Sequence, residues 1–126
     1  MLTDSKAFNG FAVDDLKKAH EFYGETLGLK SEVLDETNGL LALHHPHDHD
    51  TLIYLKPDFA PATHTVLNFL VGDIDQAVDQ LAAKGVSFER HEGFDQDDKG
   101  SARGNGPNIA WFKDPAGNIL SVLEQP

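Results

Sequence analysis

The 126-residue sequence contains no cysteine. Disulfides, thiolate zinc sites, iron–sulfur ligation and cysteine nucleophiles are therefore excluded. Positive charge is scarce: 10 Lys and Arg stand against 21 Asp and Glu, a net charge of −11. Nucleic-acid binding needs clustered Lys and Arg, so nucleic acid is not an expected partner. Anionic lipid would be repelled for the same reason, and a neutral or cationic small molecule, or a protein, suits this surface better. No apolar run approaches the roughly 20 residues of a membrane span. The opening "MLTDSKAFNG" lacks an apolar signal core. The expectation is a cytoplasmic protein with no membrane partner. Also missing are a G-x-S-x-G elbow, a phosphate-binding glycine loop and an H-E-x-x-H helix, so the common hydrolase, nucleotide and zincin motifs have no support.

What is present is a pattern that runs twice. "AFNGFAV" (7–13) alternates as a strand does, and "DDLKKAHEFYGETLG" carries an apolar stripe at helical spacing, with Asp14 or Asp15 as cap and Gly28 at its end. "SEVLDE" (31–36), "GLLALHH" (39–45) and "TLIYLKP" (51–57) predict three strands. The order then restarts. "THTVLNFLV" (63–71) is a strand, and "DIDQAVDQLAAKG" is a helix with Asp73 as N-cap and Gln76 as its capping-box partner. "VSFERHE" (86–92), "NIAWFK" (108–113) and "NILSVLEQ" (118–125) predict three more strands, the last two joined by "DPAG" (114–117). The helix entries "VDDL" and "VGDI" lie 58 residues apart. An internal duplication follows. The fold class is α+β: two tandem βαβββ modules, about 6–58 and 63–125, in one domain over 1–126. A cupped mixed sheet would carry the helices on its outer face.

Two segments carry a family likeness. "FAVDDLKKAHEFYGETLGL" (11–29) is close to V-x-D-L-x-x-A-x-x-F-Y-x-x-x-L-G, and "WFKDPAGNILSVLEQ" (111–125) is close to F-x-D-P-x-G-N-x-x-x-L-x-E. The chain thus resembles the vicinal oxygen chelate superfamily, which includes glyoxalases, bleomycin-resistance proteins and extradiol dioxygenases. The resemblance implies a ligand in the sheet cup and, in metal-dependent members, four inward ligands. These are a His or Gln on the first strand of each module and usually a Glu on the last. Counted from the motifs, those positions hold Phe8, Tyr54, Val66 and Ser121. Phe and Val have no lone pair to give. Tyr would need to be a phenolate, and a phenol ordinarily ionises only near about pH 10. A serine hydroxyl is a weak ligand. A register slip by two brings in His64 but also Lys6, and Glu124 should face the other side. No metal and no cofactor are expected.

The same alternation fills the cup with Phe8, Tyr54, Val66, Asn68, Ser121 and, through a four-residue "DPAG" turn, Phe112 opposite Ile119. Trp111 then faces the helix side; an error of one residue would exchange the two rings. An apolar, aromatic cleft with a few polar groups suits an organic ligand. The expected function is metal-independent binding of a hydrophobic, aromatic small molecule, with antibiotic sequestration of the bleomycin-resistance type as one form. The alternative is a metal-dependent glyoxalase-type lyase or isomerase, or a dioxygenase. The resemblance also implies a homodimer. "GFDQDDKGSARGNGPN" (93–108) is long for a connection and places Arg103 as a candidate ligand contact. His20 and His91 read as packing or surface residues. "HHPHDHD" (44–50) has four histidines and two aspartates, types that bind transition metals. Its place between two pairing strands makes it a charged, pH-sensitive hairpin tip, with His44 at the rim of the cup.

Overall fold

The computed structural model describes residues 1–104 and 106–125. The chain divides into two compact units, Met1–Ala60 and the segment from Pro61 onward. In the first, a 3-10 turn over Leu2–Asp4 precedes β1 (Asn9–Val13), α1 (Leu16–Glu21), β2 (Lys30–Asp35), β3 (Leu40–His45) and β4 (His49–Leu55). The second holds β5 (Thr65–Val71), α2 (Ile74–Ala83), β6 (Ile109–Lys113) and β7 (Ile119–Glu124). The sheet orders are β1-β4-β3-β2 and β5-β7-β6. In both, the strand before the helix lies parallel to the unit's last strand. This is the expected α+β class with its duplicated plan. No helix among the described residues is long and apolar enough to cross a membrane.

Both helices start as the sequence predicts. Asp15 Oδ1 accepts from the Lys18 N–H at 3.0 Å, and Asp73 Oδ1 accepts from the Gln76 N–H at 3.1 Å. Each satisfies a donor the first turn leaves without a partner. After Glu21 the first helix widens into a π-helical turn over Phe22–Thr26. Gly28 follows at φ 73°. That widened turn seats Tyr23, fully buried, edge-on to Phe22 and 6.1 Å from Phe11 between ring centroids.

Register decides which side chains share a face. In the first unit Phe11, Val13, Ile53, Leu41 and Leu43 lie under α1 and are buried. Gly10, Ala12, Leu40, Leu52 and Tyr54 line the opposite face. This division is the expected one. In the second unit α2 buries Ile74 and Val78, and Ala110, Phe112, Leu120 and Val122 form the buried row of β6 and β7.

Three expectations need correction. Segment 86–92 is not a strand: it makes one isolated bridge, Phe88 with Phe112, and the Glu89 N–H donates to Trp111 O at 2.8 Å. Beyond Glu89 the segment bonds to the following loop, Arg90 to Asp97 O at 2.7 Å and the His91 N–H to Gln96 Oε1 at 2.8 Å, and no further ladder forms among the described residues. At β5, the register passes over Val66, so Thr65 stands beside Ile119 and Leu67 beside Leu120. Val66 is the bulged residue, displaced from the row the alternation gave it. The β6–β7 turn is one residue longer than expected. Lys113 pairs with Ile119, so five residues, Asp114 to Asn118, form the connection. Asp114 Oδ1 accepts from the N–H groups of Ala116 and Asn118 at 3.0 and 2.8 Å, which includes Asn118 in the turn. One extra residue inverts the strand's faces. Phe112 therefore pairs with Leu120 on the α2 side, fully buried, its ring 5.7 Å from that of Phe88. Trp111 pairs with Ser121 on the other face.

Phe112 is thus a core residue. Phe112→Ala should lower unfolding stability by about 3–5 kcal/mol, measured by chemical denaturation. A loss below about 1 kcal/mol would contradict the buried placement.

Candidate ligand site

On the face of the second unit away from α2, β5, β6 and β7 present Asn68, Trp111 and Ser121 side by side. The Ser121 hydroxyl, fully buried, donates to Asn68 Oδ1 at 2.5 Å. Two of the expected polar contacts are therefore one hydrogen-bonded pair. Beside them is a recess of about 370 Å³ lined by Thr63, His64, Thr65, His91, Glu92, Phe94, Trp111 and Ile119. Its size falls in the range of small-molecule sites. Trp111 is its centrepiece: the His91 and Phe94 rings both stand 4.9 Å from it, near-perpendicular at 86° and tilted at 62°. Phe94 is 48% exposed, so an apolar ring remains available to a ligand.

Residues 89–101 build this wall by folding back on themselves. Gln96 Oε1 accepts from the His91 N–H at 2.8 Å, and Gln96 Nε2 donates to Glu89 O and Gly100 O. Asp97 Oδ1 receives the N–H groups of Lys99 and Ser101. Partial burial acts to raise the Asp97 pKa, but the Ser101 N–H and the Arg103 guanidinium outweigh it and hold the carboxyl below its usual range. The basic residues point to acidic partners: Lys99 pairs with Asp79 at 3.0 Å, and Arg103 with Asp75 at 2.7 Å and Asp97 at 3.2 Å. Arg103 therefore ties the loop to α2 and is not in the lining of the Trp111 recess. It borders a separate gap of about 30 Å³ with Phe94 and Ile109, space for about one water.

In the first unit Tyr54 lies on the face away from α1, 43% exposed, beside Leu52 and Leu40. Phe8 precedes β1 and is 65% exposed. Lys56 pairs with Asp58.

The residues present do not fit a divalent metal. Of the four inferred ligand positions, Phe8 lies outside its strand, Val66 is bulged, Ser121 gives its proton to Asn68, and Tyr54 is a phenol. Among the described residues no group of three His, Asp or Glu is placed to hold a metal ion. The closing glutamate of the motif has another task. Glu124 Oε2 accepts the first N–H of α2, from Ile74 at 2.8 Å, while its Oε1 accepts from Asn108 Nδ2 at 2.9 Å. The histidine-rich segment is a hairpin tip: His44 faces Asp50, His45 faces His49, and His47 and Asp48 turn the chain at φ 65° and 57°.

Sequence reasoning does not single out Phe94 or Glu92. The available signal is that Phe94 is the one aromatic residue in an otherwise polar and glycine-rich loop.

The Glyoxalase/Bleomycin resistance protein/Dioxygenase superfamily model matches residues 8–122. The chain belongs to this superfamily. Among solved structures it is similar to a glyoxalase family protein from Bacillus anthracis, at 21% identity and TM-score 0.73, covering 98% of this chain and 96% of that one. It is equally similar to TnmS3, an antibiotic binding protein from Streptomyces sp. CB03234, at 22% identity and TM-score 0.73, covering 98% of each. A superfamily member from Sphaerobacter thermophilus follows at 22% identity and TM-score 0.67, covering 96% and 98%. At these identities the likeness establishes the fold. No curated protein matches the chain.

If Glu124 acts as a helix anchor, Glu124→Ala should cost about 1–3 kcal/mol and raise amide exchange in the first turn of α2. Unchanged exchange there would refute the anchoring role.

Proposed function

We propose that the protein binds a hydrophobic, aromatic small molecule without a metal, as a capture protein rather than a metalloenzyme. The observation that carries this reading is the recess around Trp111, with a second ring at its wall. Glu92 is the one charged group in its lining, outside its two histidines, among the described residues. Indole and phenyl faces stack on planar ligands, and both attract cations. Glu92 and the net charge of −11 favour a neutral or cationic ligand over an anionic one. The Ser121–Asn68 pair supplies a polar anchor beside the stack. In the first unit, Tyr54 and Phe8 offer exposed aromatic surface of the same kind. Val66, Phe112 and Arg103 drop out as direct contacts. The likeness to TnmS3 makes antibiotics the first class to screen, and a homodimer without nucleic-acid or membrane partners completes the proposal.

Trp111 is the sole tryptophan, so its fluorescence reports the recess directly. A screen of planar aromatic natural products should produce ligands that quench it. Trp111→Phe and Phe94→Ala should each weaken such a ligand by about tenfold, read by calorimetry. Binding that survives both changes would place the ligand elsewhere, with the exposed Tyr54 face of the first unit the next to test by Tyr54→Ala.

Protein purified without a tag or metal column should contain no stoichiometric metal, and chelation should leave ligand affinity unchanged. Stoichiometric iron, nickel or zinc with metal-dependent turnover would favour a glyoxalase-type lyase, an isomerase or a dioxygenase instead.

A further inference from the structure

The hairpin of β3 and β4 carries a charged arrangement that ligand binding leaves unexplained. His44 Nδ1 lies 2.9 Å from Asp50 Oδ1, directly across the ladder on β4. His44 Nε2 lies 2.9 Å from Glu32 Oε1 on β2, the other neighbour of β3. One ring therefore spans three strands. A neutral imidazole has a single N–H, and an ionised carboxylate only accepts. Both contacts can be hydrogen bonds to carboxylates only when the ring carries two N–H groups, as imidazolium. The contact set itself requires the extra proton.

We propose that His44 is a proton-operated clasp that fastens the edge strand β2 to the β3–β4 hairpin and releases it on deprotonation. β2 has one neighbour in its sheet, β3. Its ladder shifts register between Val33 and Asp35, and Val33 and Leu34 are 39% and 48% exposed. Such an edge has few apolar contacts to hold it, so a cross-strand charge pair carries weight there.

The surrounding charges are consistent with retention of the proton. The hydrogen bond to Glu32, then that to Asp50, raise the His44 pKa above its ordinary value, and Asp50 is lowered in turn by His44. Lys30, in register with His44 on β2, and Lys6, which acts on Asp50, are the nearby cations. His45 points to the opposite face, beside Thr51 and stacked on His49. Partial burial, then repulsion from His49, lower its pKa. Adjacent histidines thus have opposite proton preferences, and of the two it is His44 that links the strands as a cation. Because its folded-state pKa is raised, the clasp contributes fully below the unfolded value of about 6.5. That contribution is lost as pH rises through the higher folded value.

Imidazole NMR on the full chain, with amide exchange normalised for intrinsic rates, tests this. His44 should titrate above about 6.5, and Glu32→Gln and Asp50→Asn should each move it down. Protection of the β2 amides should fall a few-fold across that titration in the wild type. In His44→Gln it should not vary with pH. Titration of His44 at the ordinary value, or β2 protection that ignores its titration, would overturn the proposal. So would a pH-dependent loss that persists in His44→Gln.

Discussion

Asp114 is nearly buried, yet its carboxylate is well supplied with donors. Two backbone N–H groups and the Asn118 amide converge on its two oxygens, and its own N–H donates to Asn118 O at 3.0 Å. Leaving such a group unsatisfied would cost on the order of 1–3 kcal/mol or more, so the turn cannot readily shorten. Its five-residue length sets the β6–β7 register, and that register sends Phe112 to the core and Trp111 to the recess. Without the second consequence there is no indole for His91 and Phe94 to meet. The D-P-x-G-N signature is therefore a positioning device: it fixes the face on which the aromatic surface appears.

A second constraint is electrostatic. A chain this acidic has few cations, and the second unit places two of them, Lys99 and Arg103, in pairs that join the long loop to α2. Both pairs are partly exposed, and such pairs contribute little individually. Their effect is positional. They hold the basic side chains on the helix side while Phe94 goes to Trp111. Among the described residues, the recess is left with one carboxylate and no Lys or Arg.

The sequence is legible where a local rule operates alone. Capping by Asp15 and Asp73 needs only the first helical turn, and the duplication shows in the repeat of the same signals. The first unit's faces follow from strict alternation between β1 and β4. Alternation fails where an extra residue enters the count, at the Val66 bulge and at Asn118. Neither shows in the hydrophobic pattern, because both faces of these strands carry apolar residues, Leu120 and Val122 on one and Ile119 and Leu123 on the other. Phe112 lands on the wrong face for that reason. Arg103 misleads differently: it does lie in the long loop, but its partner Asp75 is 28 residues away. No local pattern reports such a pairing.

The two structural roles of the acidic residues bear on how this superfamily's motifs should be read. Glu124 ends the family's closing motif, and its two oxygens hold the start of α2 and the Asn108 amide. A carboxylate on the α2 side of β7 cannot also project among Trp111, Ser121 and Asn68, because the strand's faces alternate. The position that does project there is Ser121, whose hydroxyl is already engaged. The same strand thus matches the family's closing sequence while its Trp111 face carries the buried alcohol of Ser121 in place of an acid. In this chain the helix anchor and the turn signature shape the scaffold, and the residues of opposite parity form the Trp111 face.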